Sequence, residues 1–191
     1  VLQRQSNRLK KLTEDLVEAS KASTGNLKVE LGPVDLGELL VQVTGEYEDR
    51  LRQAEISPVV QSPEEPIIAM GDGRYLWRII DNLLSNVRKY ALPGTRVYID
   101  ASVLDGAAVI SVKNISRDRL NVSADELLRR FVRGDASRNT EGSGLGLSIA
   151  QSLAVLMHGK LSLTVDGDLF KAELSLPLAE QIQETAPEKP E

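Results

Sequence analysis

Two stretches carry residue types whose spacing suits a phosphorylated ligand. In Gly142-Ser143-Gly144-Leu145-Gly146-Leu147-Ser148, three glycines at alternate positions run directly into an amphipathic segment. Glycine lets backbone N–H groups close on an anion without a Cβ in the way, and a helix starting there adds unpaired amides and its positive dipole end. The plainer alternative is a flexible glycine connector leading into an ordinary core helix. Neither G-x-x-x-x-G-K-[ST] nor a G-x-G-x-x-G following a strand is present, so a nucleotide bound here needs its metal and base held elsewhere.

The second stretch runs from Asp72 to Ala91. At about 100° per residue, Leu76, Ile80, Leu83, Leu84 and Val87 form one apolar face, and Asn82, Asn86 and Lys89 gather in a roughly 60° arc beside it, with Tyr90 at the margin. Asparagine is a poor helix former, so two of them at i and i+4 call for an explanation. Solvated surface amides in weak mutual contact are one. The other is chemical: an amide oxygen is a hard, neutral ligand suited to Mg²⁺, which keeps waters and takes further oxygens from phosphates.

The surrounding elements must bring these stretches together. Leu2, Leu9, Leu12, Leu16 and Ala19 recur at spacings of seven, three, four and three, a narrow stripe expected of a bundle or coiled-coil helix over residues 1 to about 22. A helix folded back on its own domain is the alternative. Ser23-Thr24-Gly25-Asn26 ends it, and a short extended stretch leads to Gly32-Pro33. Asp35 with Glu38 has the form of a capping box opening a helix through Leu36, Leu39, Leu40, Val43 and Tyr47 to about Ala54.

Val59-Val60 and Ile67-Ile68 are short strand candidates around a proline-rich turn. Val97, Ile99 and Ala101, then Ala108, Ile110 and Val112, alternate with polar residues about Asp105-Gly106, the pattern of a hairpin. A second hairpin places Leu161, Leu163 and Val165 before Asp166-Gly167, and Phe170, Ala172, Leu174 and Leu176 after it. Four antiparallel strands and at least three amphipathic helices predict an α+β domain with helices layered on one sheet face. The polar segment 115–143, bearing Arg129-Arg130-Phe131-Val132-Arg133, has the length of a functional lid or of disorder, and the tail from about Leu178 reads as disordered.

Composition narrows the function classes. The 191 residues, 41% hydrophobic, suit one globular domain plus an appendage, and a net charge of −5 argues against a nucleic-acid footprint or an anionic-membrane patch. The absence of cysteine excludes disulfides and thiolate metal sites. No apolar run approaches the ~20 residues of a membrane span. The chain starts at Val1 within a charged helical pattern, which suggests a piece of a longer protein.

Taken together, Asn82-Leu83-Leu84-Ser85-Asn86-Val87-Arg88-Lys89-Tyr90, Phe131-Val132-Arg133 and Gly142-Ser143-Gly144-Leu145-Gly146-Leu147-Ser148-Ile149 resemble, in order and separation, the N box, F box and second glycine box of bacterial sensor histidine kinases. The resemblance covers about residues 34–177. It implies a two-layer α/β sandwich of the GHKL ATPase type, with a mixed, largely antiparallel sheet, preceded by one long helix. Residues 1–25 resemble the second helix of the family's dimerisation and histidine-phosphotransfer hairpin, 26–33 would be a linker, 34–177 the ATP-binding catalytic domain and 178–191 a disordered tail.

By matching positions, the resemblance implies Asn86 as the Mg²⁺ ligand, Asn82 near the phosphates, Lys89 on phosphate and Tyr90 packed on adenine. Phe131 would anchor the lid base and Arg133 would sit on the lid. Gly142, Ser143, Gly144, Leu145 and Gly146 would form the phosphate-binding turn, with Asn86, Lys89 and Arg133 as the catalytic set. It also implies ATP and Mg²⁺ as cofactors, a response-regulator partner, a homodimeric parent, and a cytoplasmic position with any membrane anchor outside this chain.

Two departures stand out. Asn114 occupies the place of the first glycine box's aspartate, and that box's glycines are absent from Val112-Lys113-Asn114-Ile115-Ser116-Arg117-Asp118. An asparagine Oδ1 still accepts a hydrogen bond from an adenine amino group, but without charge assistance. The only histidine, His158, lies at a helix end before Gly159, so the phospho-acceptor is expected upstream of this chain. Two other readings accompany the kinase: a degenerate regulatory pseudokinase, and a gyrase- or chaperone-type ATPase, for which Asp81 lies one step from the motif.

Overall fold

The computed structural model describes residues 2–61, 63–120, 123–128 and 144–179. Helix α1 (Leu2–Ser23) precedes a short strand β1 (Gly32–Asp35), helix α2 (Leu36–Gln53), strands β2 (Ser57–Gln61) and β3 (Ile68–Gly71), and helix α3 (Gly73–Tyr90). The hairpin β4 (Arg96–Leu104) and β5 (Ala107–Ile115) follows, then α4 (Ala124–Leu128), α5 (Gly146–Leu156) and the hairpin β6 (Lys160–Asp166) and β7 (Leu169–Pro177).

Five strands form the main sheet in the order β2-β4-β5-β7-β6, all pairs antiparallel except β2 with β4. Alternation along β4, β5 and β7 buries Val97, Ile99, Ile110, Val112, Ala172 and Leu174 on one face. There they meet Leu40, Val43 and Leu51 of α2, Leu76, Ile80 and Leu84 of α3, and Ile149 and Leu153 of α5 in one continuous core. The fold is thus the helices-on-one-face α+β sandwich that the strand and helix patterns imply.

Three details differ from the sequence pattern. β1 and β3 pair with each other as a separate antiparallel ribbon, with Val34 opposite Ala69, so Gly32-Pro33, expected at the end of a linker, begins a strand. The second hairpin turns at Gly167-Asp168, because Asp166 is paired with Leu169 and Gly167 takes φ +59, which places glycine first in a two-residue turn. Leu178, expected in the tail, bridges Ala69, while residues 180–191 lie outside the described residues.

Local chemistry explains the helix ends. Asp35 caps α2, its carboxylate accepting from the N–H groups of Gly37 and Glu38. α5 closes in a Schellman turn: Gly159 N–H donates to the Ala154 carbonyl at 2.8 Å and His158 N–H to that of Val155 at 3.0 Å. His158 occupies the left-handed position, φ +58, that glycine ordinarily fills. Gly159 instead answers a steric demand, since a Cβ there would stand 2.4 Å from the Ser175 carbonyl oxygen.

The stretch 26–33 lies against the body: Leu27 and Val29 pack on the core, and Glu30 N–H donates to Asp72 Oδ2 at 3.0 Å. α1 packs on α5, and its Ala19 and Ala22 are buried. Its larger apolar side chains, Leu9, Leu16 and Val17, are exposed, Leu9 by 68%.

The two residues of the α5 turn respond oppositely to substitution. His158→Gly is expected to stabilise the chain by about 0.5–1 kcal/mol by relieving the left-handed backbone. Gly159→Ala is expected to cost about 1–3 kcal/mol by forcing the turn off β7. Urea unfolding of the two variants checks both signs.

Candidate functional site

Asp72 anchors the site-bearing helix. It caps α3 by accepting from Arg74 N–H at 3.1 Å, and its second oxygen takes Arg74 Nη2 at 2.8 Å and the Glu30 N–H. The Arg74 guanidinium, foremost, holds the buried Asp72 carboxyl down at about 2 from an ordinary 3.8; burial opposes the shift and the backbone N–H bonds of Glu30 and Arg74 assist it. At the other end, Ala91 bridges Ser116, Leu92 N–H donates to the Ile115 carbonyl at 2.8 Å, and Arg117 N–H donates to the Tyr90 carbonyl at 2.8 Å. The helix is therefore pinned at both ends, to the 28–30 segment and to the end of β5.

Asn82, Asn86, Lys89 and Tyr90 all lie on α3 and are half-buried beside its core face. Asn82 meets the glycine turn: an ideal Cβ on Gly146 would lie 3.2 Å from Asn82 Oδ1. Gly144 adopts φ +71, Leu145 is buried at the N-cap of α5 with no side-chain capping bond, and α5 begins at Gly146. The apolar N-cap residue offers no side-chain acceptor of its own to the first amides of α5, and helix N-terminal amides of this kind can receive an anion. Beside it, Asn82 Nδ2 is buried without a hydrogen-bond partner among the described residues. Buried amide donors are ordinarily satisfied, so the pair marks where a ligand's acceptor atoms belong.

Asn114 lies in β5, 5% exposed, opposite Val97 and Phe170. Its Nδ2 donates to the Ile115 carbonyl at 3.2 Å, which leaves Oδ1 as the acceptor it can present. Two residues along the strand, Ser116 joins the end of α3, so Asn114 borders the Tyr90 end of the amide strip. The structure thus joins Asn82 to Gly146 and sets Asn114 near the strip's far end. Phe131, Arg133, Gly142 and Ser143 lie outside the described residues.

Sequence patterns missed a polar cluster under the strip. Arg78, one helical turn before Asn82, donates Nη2 to Asp15 Oδ1 at 2.9 Å and to Glu18 Oε2 at 2.8 Å, and Nη1 to Asp81 Oδ2 at 3.2 Å. Tyr47 of α2 donates its hydroxyl to Asp81, and burial, reinforced by that bond, pushes its phenol well above the ordinary range. For Arg78, burial works against the charge, but Glu18, Asp15 and Asp81 outweigh it and raise the guanidinium's pKa. Asp81 is thus held by two donors, the Arg78 guanidinium and the Tyr47 hydroxyl. The available signal was the acid pair at 15 and 18 on one helix face.

A helix start with an apolar N-cap, a buried donor beside it and a half-buried amide strip make a candidate site on an α+β sandwich. Residues 71–180 match the family of histidine kinase-, DNA gyrase B- and HSP90-like ATPases, and the chain belongs to that ATP-binding family. It is similar to the probable sensor histidine kinase TcrY of Mycobacterium tuberculosis, 27% identical over 91% of this chain and 36% of the relative. It is also similar to the sensor histidine kinase RppB of Synechocystis, 30% identical over 91% of this chain and 38% of the relative. The chain thus spans little more than a third of these relatives' length. Among solved structures, the Acinetobacter baumannii histidine kinase AdeS superposes with a TM-score of 0.77 at 21% identity, over 93% of this chain and 82% of the other. Full-length ShkA, solved in complex with AMPPNP, gives a TM-score of 0.73 at 28% identity, over 92% and 37%.

Two measurements probe this geometry. Asp72 has a folded pKa below its unfolded value, so its contribution is fully present above about pH 4 and fades as pH falls through about 2. Solvent screening of the exposed Arg74 trims that contribution to about 1–2 kcal/mol. Urea midpoints from pH 5 to 2 should fall more steeply for the native chain than for Asp72→Asn. Gly146→Ala should displace Asn82 and weaken triphosphate binding about tenfold, while thermal unfolding moves by only a few degrees.

Proposed function

We propose that this chain is the ATP-binding catalytic part of a sensor histidine kinase, which delivers the γ-phosphate of Mg²⁺·ATP to a histidine outside the chain for onward transfer to a response regulator. The contact between Asn82 and Gly146 carries this reading, because it draws the amide strip and the glycine turn to one cleft. Family membership, the sensor-kinase relatives and the nucleotide analogue in complex with ShkA support it.

Asn86 would hold Mg²⁺ through its neutral oxygen. The donor chemistry fits: an amide oxygen is a hard, neutral ligand, and among the described residues no group of three or more His, Cys, Asp or Glu is placed to hold a metal ion, so the ion's remaining ligands would be waters and phosphate oxygens. The metal would supply charge neutralisation on the triphosphate. Lys89 would add a point charge to the phosphates, and the Gly144–Gly146 amides would orient them. Tyr90 would pack on the adenine, whose amino group Asn114 Oδ1 would accept. Phe131, Arg133, Gly142 and Ser143 would complete the lid side, with Arg133 bringing charge to the transferred group.

His158, locked in the α5 turn, is suited to structure and not to accepting phosphate. The parent would dimerise through the bundle hairpin to which residues 1–25 belong, with 34–177 as the catalytic domain. No described helix is long and apolar enough to cross a membrane, so any anchor would lie elsewhere in the parent. The uncharged Asn114 favours a second reading, a regulatory module with weakened nucleotide affinity, since a charged acceptor is worth about 1 kcal/mol more. Transfer to a supplied acceptor hairpin separates the two.

Isothermal titration should give Mg²⁺·ATP binding in the micromolar to millimolar range that falls at least tenfold in Asn86→Ala. Equal binding by both would remove the metal role. Incubation of the isolated chain with ATP should leave it free of phosphohistidine, and label on His158 would refute the assignment of an external acceptor.

A further inference from the structure

Helix α1 touches both helices that build the cleft, and by different means. It packs along α5, and its buried apolar side chains among the described residues are the small Ala19 and Ala22, while Leu9, Leu16 and Val17 stay exposed. On α3 it is held by ions: Asp15 and Glu18 grip Arg78, the three side chains being between 10% and 22% exposed. Little large apolar surface secures this end of α1 to the body, so a few charge-assisted bonds carry much of its seat.

The place where those bonds land matters more than their number. Arg78 stands at i−4 from Asn82, on the same strip of α3, and also grips Asp81, the residue immediately before Asn82. Asn82 in turn lies against Gly146, the first residue of the helix on which α1 rests. The connection from α1 to the cleft is therefore two-sided and short: carboxylates to Arg78, one turn before Asn82 along α3, and the packing of α1 on α5, the helix that starts at Gly146.

We propose that Arg78 is a positioning residue that couples the seating of α1 to occupancy of the nucleotide cleft, so that releasing Asp15 and Glu18 loosens Asn82 and weakens nucleotide binding. This rests on the function proposed above and adds the element through which the site is regulated. Binding linkage is reciprocal, so nucleotide must tighten α1 by the same factor by which seated α1 tightens nucleotide. The coupling must also weaken with salt, because the grip is made of partly exposed charges.

The test uses the full chain and the double variant Asp15→Asn/Glu18→Gln, which keeps side-chain shape on α1 and leaves the cleft residues intact. Hydrogen exchange of residues 9–23 reads α1 seating, and displacement of a fluorescent adenine nucleotide by Mg²⁺·ATP reads affinity. The expected result is at least fivefold faster exchange in α1 with α3 protection retained, and three- to tenfold weaker nucleotide binding. Nucleotide should slow α1 exchange in the native chain by a matching factor, and Arg78→Lys, which keeps one charge but loses the forked grip, should fall between.

Faster α1 exchange with unchanged affinity would reduce Arg78 to a structural staple and overturn the coupling alone. Unchanged α1 exchange would overturn it as well. A native chain that binds no nucleotide at millimolar concentration would remove the proposed function together with the coupling, and is told apart by the first titration.

Discussion

The site depends on one close approach. Asn82 of α3 sits against Gly146 of α5 at a distance that leaves no comfortable room for a methyl group. Everything that orients α3 or α5 acts on that contact: the Asp72 cap at one end of α3, the stitching of Tyr90, Ala91 and Leu92 to the end of β5 at the other, and the Schellman turn that seats α5 against β7. A buried amide donor left without a partner costs stability, and a ligand or water that accepts from it recovers that cost. Among the described residues the buried Nδ2 of Asn82 is such a donor.

The acidic face of α1 and the basic residue of α3 add a second layer of control on the same helix. Arg78 draws together three carboxylates from two helices, and Tyr47 adds a third helix to the cluster through Asp81. Desolvation offsets part of the attraction in a partly buried network of this kind, and the bonds that remain set the geometry with which α1 meets α3. Its position one turn before Asn82 makes that geometry relevant to the cleft.

Much of the arrangement was legible in the residues. Period-two alternation marked β4, β5, β6 and β7, the 3.6-residue period marked α2 and α3, and glycine spacing marked the turn before α5. These signals are local, and each is written in a single element. What escaped was non-local. The β1–β3 ribbon was hidden because Gly32-Pro33 carries turn chemistry, and the parallel pairing of β2 with β4 leaves no signature in a five-residue strand. The grip of Asp15 and Glu18 on Arg78 joins residues about sixty positions apart, and charged side chains on amphipathic helices look alike whether solvated or paired. Asn82 and Gly146 were each recognisable as unusual, but only packing brings them into contact.

The parallel pairing of β2 with β4 has a consequence for how the molecule assembles. Parallel neighbours need a crossover, and here the crossover carries β3 and the whole of α3, so the helix with the asparagine strip is the connection between two adjacent strands. Its partner helix α5 arrives from a segment more than fifty residues later and is held by the last hairpin. Chain loops of that length close slowly because their entropy must be overcome before the contacts form. The cleft therefore cannot close until α5 has joined α3, and a nascent chain that ends before α5 has the strip without the surface it faces.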